Sequence, residues 1–235
     1  MAVETIKYQA GNVMAHGALV WNDKISTKRP LLLVMPNWLG VTDTIIKRAE
    51  KMAGDKYIAF VACMYGEGKT AEGPPESEQL MMAVRGDRVE GRKRVNAALQ
   101  AMIAEATKRG IGDSSKKAAV GFCFGGGNVL ELARSGADLD AVVCLHGDLA
   151  TSMPAKKGDI KAAVFVIHGS KDPVSGKADR NALEDELDAA GANWQMLTFG
   201  GRLHSFAEEE TDMPGVAKFD AGAAHQTYRM LDDFI

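Results

Sequence analysis

Gly121-Phe122-Cys123-Phe124-Gly125 places a thiol between two glycines, after the apolar run Ala118-Ala119-Val120 and before the small-residue segment Gly126-Gly127-Asn128-Val129-Leu130. The order reads strand, sharp turn, helix. It matches the nucleophile-elbow pattern G-x-S-x-G with cysteine in the serine position. The chemistry on offer is nucleophilic attack by a thiolate. Neighbours that lack Cβ atoms let strand and helix approach closely at such a turn. The turn aims the thiol and the following backbone N–H groups at one point near a helix N-terminus, where a thiolate and an oxyanion both gain. Alone, the motif is short. Cysteine is also a common small core residue, and Gly125-Gly126-Gly127 is compatible with a phosphate loop. No Gly-x-x-x-x-Gly-Lys-Ser/Thr run supports the phosphate reading, nor does a Gly-x-Gly-x-x-Gly with a suitably placed acid.

The rest of the chain supplies partners in the order nucleophile, acid, base that hydrolases on open α/β sheets use. Ala162 to Ile167 is a buried-strand run, and His168-Gly169-Ser170-Lys171-Asp172-Pro173-Val174 turns after it. Trp194 to Phe199 is a second strand, followed by Gly200-Gly201-Arg202-Leu203-His204-Ser205-Phe206. Cys123, Asp172 and His204 therefore all fall at carboxyl ends of strands, the edge where such sheets collect ligands. His168 is expected to pack or bond locally. His146, in Cys144-Leu145-His146-Gly147-Asp148, is a candidate pocket residue, and His16 and His225 are expected to be structural or solvated. Five histidines without HxxxH spacing, and no CxxC, argue against a dedicated metal site. Cys63 and Cys144 sit in apolar runs and read as inert core thiols.

Taken together, Gly-Phe-Cys-Phe-Gly-Gly-Gly, His-Gly-Ser-Lys-Asp-Pro-Val and His-Ser-Phe resemble the dienelactone hydrolase family of α/β-hydrolases. Met35-Pro36-Asn37-Trp38-Leu39-Gly40-Val41 and Met64-Tyr65-Gly66-Glu67-Gly68-Lys69 extend the resemblance over nearly the whole chain. It implies Cys123 as nucleophile, His204 as base, Asp172 as its orienter, and an oxyanion hole from the N–H groups of Phe124 and Trp38. Two positions depart from dienelactone hydrolases proper. Those carry a glutamate at the place of Asn37, which helps deprotonate the thiol when substrate arrives. They also carry an arginine four residues after the base, gripping a substrate carboxylate, where this chain has Glu208 in the run Glu208-Glu209-Glu210. A carboxylate there is expected to repel an anionic substrate. Candidate substrate contacts are Asn37, Tyr65, Phe206, Glu208 and Arg85.

The elements that must position these residues alternate between strand and helix. Thr5–Tyr8 and Val13–Trp21 read as an opening hairpin. Residues 30–35 are a wholly apolar strand of the kind a buried parallel sheet needs. Thr42–Met52 is an amphipathic helix, Tyr57–Ala62 a strand, and Gly66–Glu78 a loop broken by Gly68, Gly73, Pro74 and Pro75. Val84–Arg109 reads as one long helix with Val89, Val95, Leu99, Met102 and Ile103 as its stripe. Strands at 118–122 and 141–145 continue the alternation, with helices at Lys177–Ala190 and Val216–Phe234. The pattern predicts a single α/β-hydrolase-type domain over residues 1–235, with a mostly parallel sheet covered by helices on both faces.

Composition narrows the function. At 235 residues and 46% hydrophobic content the chain can bury a large core. A net charge of −3 with mixed signs argues against nucleic acid as a partner. No apolar run approaches the roughly 20 residues that span a bilayer, and Met1 to Lys7 lacks a signal-peptide pattern. Three cysteines without a disulfide pattern fit a reducing, cytoplasmic setting. A monomer or weak homodimer is expected, acting without cofactor on a small neutral ester or lactone. An anionic dienelactone is the alternative substrate. A non-catalytic binding protein of the same fold is the alternative class, and thiol-redox chemistry at Cys123 lacks a resolving cysteine.

Overall fold

A computed structural model describes residues 1–235. The elements in chain order are β1 (Ala2–Ala10), β2 (Val13–Trp21), β3 (Arg29–Met35), α1 (Asp43–Ala53), β4 (Ile58–Val61), α2 (Glu76–Arg85), α3 (Arg88–Lys108), β5 (Gly112–Phe122), α4 (Phe124–Arg134), β6 (Ala141–Leu145), β7 (Ala163–Gly169), α5 (Lys177–Ala190), β8 (Trp194–Phe199), β9 (Asp212–Met213), β10 (Ala217–Lys218) and α6 (Ala221–Phe234). Eight strands form one mostly parallel sheet in the order β1-β2-β4-β3-β5-β6-β7-β8. The chain packs as two compact units, Met1–Ala119 and Val120–Ile235.

In the first unit, β1 and β2 pair antiparallel from Ala2↔Trp21 to Ala10↔Val13. Gly11 closes their turn at a φ of 58°. β3 runs parallel to β4, and Leu31 to Met35 are fully buried, as the unbroken apolar run demands. The Thr42 hydroxyl accepts from the Ile45 N–H and starts α1.

The long helix expected over 84–109 is two helices. α2 begins at Glu76, inside the stretch expected to be loop, and ends before Gly86. The Asp87 carboxylate then accepts from the Glu90 N–H at 3.0 Å and opens α3. An N-capping aspartate beside a glycine restarts a helix more readily than it continues one. Val89 is 53% exposed, whereas Val95, Leu99 and Met102 are buried. At ~100° per residue Val89 lies about 120° from Val95, off the buried stripe.

In the second unit, β6, β7 and β8 pair in parallel, with Ala141 opposite Ala163 and Val164 opposite Trp194. Every residue of α4 is buried, which accounts for its small and apolar composition. Its one arginine, Arg134, is satisfied by Glu131 at 3.0 Å and Glu186 at 2.8 Å. The last helix starts at Ala221 rather than Val216. Pro214-Gly215 makes a turn, β9 and β10 pair across it, and the Asp220 carboxylate caps α6 through the Ala223 N–H at 2.8 Å.

Candidate active site

Cys123 sits between β5 and α4 with φ 53° and ψ −117°, a conformation unfavourable for a residue with a side chain. The glycines around it make the turn geometrically possible. A Cβ on Gly121 would run into the Gly125 backbone, and one on Gly126 would lie 2.7 Å from the Gly147 Cα. The Cys123 N–H donates to Leu145 O at 3.1 Å and to His146 Nδ1 at 3.3 Å. Phe124 opens α4, and its N–H precedes the first bond of the helix, Gly127 N–H to Cys123 O at 3.2 Å. A helix start of this kind favours negative charge. The thiol of Cys123 is half-buried, whereas Cys63 and Cys144 are buried.

Asp172 lies in the turn after β7. Its Oδ1 accepts from the N–H groups of Val174 at 2.8 Å and Ser175 at 3.3 Å. Its Oδ2 is 2.8 Å from His204 Nδ1. A carboxylate there can only accept, so Nδ1 carries the proton and Nε2 is left for the reacting side. Burial pushes Asp172 up, but the hydrogen bond and charge of His204 and the Val174 N–H outweigh it, and the carboxyl rests below its ordinary range. Burial likewise pushes His204 down. The charge interaction with Cys123 and the hydrogen bond to Asp172 prevail, and the imidazole titrates well above its usual value. Asp172 and His204 thus interact by contact as well as electrically, and Cys123 interacts electrically with His204.

Two further histidines adjoin this set. His168 Nε2 is 2.9 Å from Ser175 O and 3.4 Å from Asp172 Oδ2. Burial holds it below its usual value, so it stays neutral and donates through Nε2. His146 is wholly buried, with its ring 5.6 Å from that of His204. The sequence marked it only as a pocket candidate, and its bond to the Cys123 amide depends on packing that no motif encodes.

Among the expected substrate contacts, Phe206 and Glu208 require correction. Both have no exposed surface. The Phe206 ring packs edge-on to His146 and Phe199 at 5.4 Å each, because the loop after β8 folds inward. The Glu208 carboxylate lies 4.0 Å from His146 Nδ1 instead of presenting an open charge to substrate. The remaining candidates belong to the first unit. Asn37 Oδ1 accepts from the Leu39 N–H at 2.9 Å, and the Tyr65 hydroxyl donates to Trp38 O at 2.8 Å, so Tyr65 braces the turn formed by Asn37, Trp38 and Leu39. Arg85 is half-buried at the end of α2. No group of histidine, cysteine and acidic side chains has the arrangement of a metal site, and no helix is long and apolar enough to cross a membrane.

Residues 16–235 match the dienelactone hydrolase family. The protein named m3DLH superposes with a TM-score of 0.91 at 31% identity, covering 99% of this chain and 96% of its own. A dienelactone hydrolase-like promiscuous phosphotriesterase from metagenomic libraries superposes at 0.87 with 33% identity, over 99% and 96% of the two chains. An uncharacterised protein of Caenorhabditis elegans is 29% identical over 128 residues, 52% of this chain and 80% of the other.

Proposed function

This chain belongs to the dienelactone hydrolase family and is an esterase-type hydrolase, and from that premise we propose that it cleaves small neutral carboxylic esters or lactones through a Cys123-Asp172-His204 triad. The observation that carries the reading is the 2.8 Å Asp172–His204 bond beside a strained Cys123, with His204 charged more readily because of that cysteine. The Cys123 thiolate adds to the carbonyl carbon, and the carbonyl π pair moves onto oxygen. The Phe124 N–H stabilises that oxyanion, an interaction worth on the order of 3 kcal/mol per donor in comparable sites. Collapse of the adduct breaks the bond to the alcohol oxygen, which takes its proton from His204. His204 then removes a proton from water, which attacks the thioester and restores the thiol. Asp172 holds the imidazole in the required tautomer and stabilises its charged form.

A neutral substrate is favoured by the lack of a cation at the position of Glu208. Where dienelactone hydrolases proper grip a carboxylate with a cation, this chain buries a carboxylate against His146. Short-chain p-nitrophenyl esters test the reading, with mass detection of an acyl group on Cys123. Turnover with a transient acyl–Cys123 adduct is expected. Turnover that persists in Cys123→Ala overturns it. On matched substrates, kcat/KM is expected to be higher for a methyl ester than for its free carboxylate, and a preference for the carboxylate would exclude the neutral-substrate reading. A second reading is phosphotriester hydrolysis by the same thiolate, favoured by the 33% identity to a promiscuous phosphotriesterase. Its test is a phosphorus-bearing adduct on Cys123.

A further inference from the structure

We propose that His146 is a positioning residue that fixes the backbone of the nucleophile through its unprotonated Nδ1 and registers that turn against the loop carrying His204. The proposal rests on the reading of Cys123 as nucleophile. Two side-chain-bearing residues face each other here in left-handed backbone conformations, Cys123 at φ 53° and His146 at φ 39°. Such conformations persist only where the surroundings hold them. The Cys123 amide is held by two acceptors at the end of β6, Leu145 O and His146 Nδ1. His146 is itself anchored, its N–H donating to Ile167 O at 2.8 Å.

The imidazole has neighbours on both sides of the reaction. Its ring meets those of Phe122 at 6.2 Å, His204 at 5.6 Å and Phe206 at 5.4 Å. Glu208, on the same loop as His204, approaches Nδ1 to 4.0 Å, and its N–H donates to Ser205 O at 3.0 Å. One buried side chain therefore touches the nucleophile's amide, the base's ring and the base's loop. A nitrogen that accepts from the Cys123 N–H carries no proton, so the neutral ring bears its proton on Nε2. Protonated Nδ1 would instead face Glu208, leaving Leu145 O as the Cys123 acceptor. The neutral ring is the positioning form. Displacements of about 1 Å at a reacting atom can cost ~100-fold in rate, so this anchor bears on kcat.

His146→Asn and His146→Gln separate this role from simple packing. Asparagine carries its carbonyl oxygen close to the place of Nδ1, while glutamine carries its polar group one bond further out. His146→Asn is expected to keep kcat within about fivefold of wild type. His146→Gln is expected to lose about tenfold or more, with KM within about twofold. Iodoacetamide alkylation of Cys123, followed by mass spectrometry, should slow in the same order. Circular dichroism checks that both variants fold. Equal kcat in the two variants, or an effect confined to KM, overturns the proposal. Where His146→Gln does not fold, His146→Asn decides alone: a loss within about fivefold supports the role and a larger loss overturns it. If Cys123→Ala retains esterase activity, the nucleophile reading fails, and the alkylation rates still decide whether His146 positions this thiol.

Discussion

Asp172 uses both oxygens fully. Two backbone N–H groups serve Oδ1, while His204 and His168 face Oδ2 at 2.8 and 3.4 Å. Removing the His168 donor leaves the carboxylate one contact poorer and freer to rotate. His168→Leu also removes the N–H that donates to Ser175 O and is expected to lower kcat/KM by about fivefold, since a hydrogen bond between neutral groups is worth about 1 kcal/mol. His168→Gln, which replaces the donor at Nε2, should recover most of it. Equal losses in both would assign His168 to packing alone. The thiols offer a second residue-scale contrast. Burial pushes Cys144 up to about 12 and encloses Cys63, while Cys123 is half-buried beside His204. Iodoacetamide should label Cys123 first, because reactivity follows thiolate fraction and access. Peptide mapping that finds Cys63 or Cys144 labelled first would contradict this. Cys123, Asp172 and His204 were legible as candidates because each sits in a short motif that follows a strand. The burial of Phe206 and Glu208 was not legible, because it depends on a loop folding back onto His146, far away in sequence.

At the scale of elements, the apolar runs marked the main strands, while their order in the sheet was not read from them. β6, α5 and β8 begin and end where periodicity and turn residues place them. What the sequence concealed was competition between weak local signals. Asp87 and Gly86 split a stretch whose composition is helical throughout, and two-residue strands such as β9 and β10 carry no period to read. Asp87→Ala should destabilise by about 1 kcal/mol, the usual cost of a lost N-cap, and urea unfolding measures it. The elbow is less tolerant. At Gly121 an added methyl meets backbone rather than a flexible side chain. Gly121→Ala is expected to cost more than about 2 kcal/mol or to displace Cys123, as overpacking does in tight interiors. A variant of wild-type stability and alkylation rate would show that the turn can yield.

For the whole molecule, the linked charges of the site make stability depend on pH in two directions. Asp172 is held below its ordinary range. Its contribution is complete above the unfolded value of about 3.9 and is lost as pH falls from there through the folded one. His204 is raised. Its contribution is complete below the unfolded value of about 6.5 and is lost as pH climbs through the folded one. Both are fully present only between about pH 4 and 6.5. The Tm difference between wild type and His204→Gln should therefore be largest near pH 5.5 and shrink steadily as pH rises. In a Cys123→Ala background the shrinkage should set in at lower pH, because the charge interaction with Cys123 that raises His204 is gone. Asp172→Asn should show the mirror image, its Tm deficit shrinking as the solution is acidified below about pH 4. Calorimetric scans of the five proteins (wild type, His204→Gln, Cys123→Ala, the Cys123→Ala/His204→Gln double variant and Asp172→Asn) across this range make the comparison at one ionic strength. A Tm gap for His204→Gln that stays constant from pH 5.5 to well above neutrality would mean that the imidazole gains no net charge stabilisation from Cys123 and Asp172, and the electrical coupling assigned to the site would be wrong.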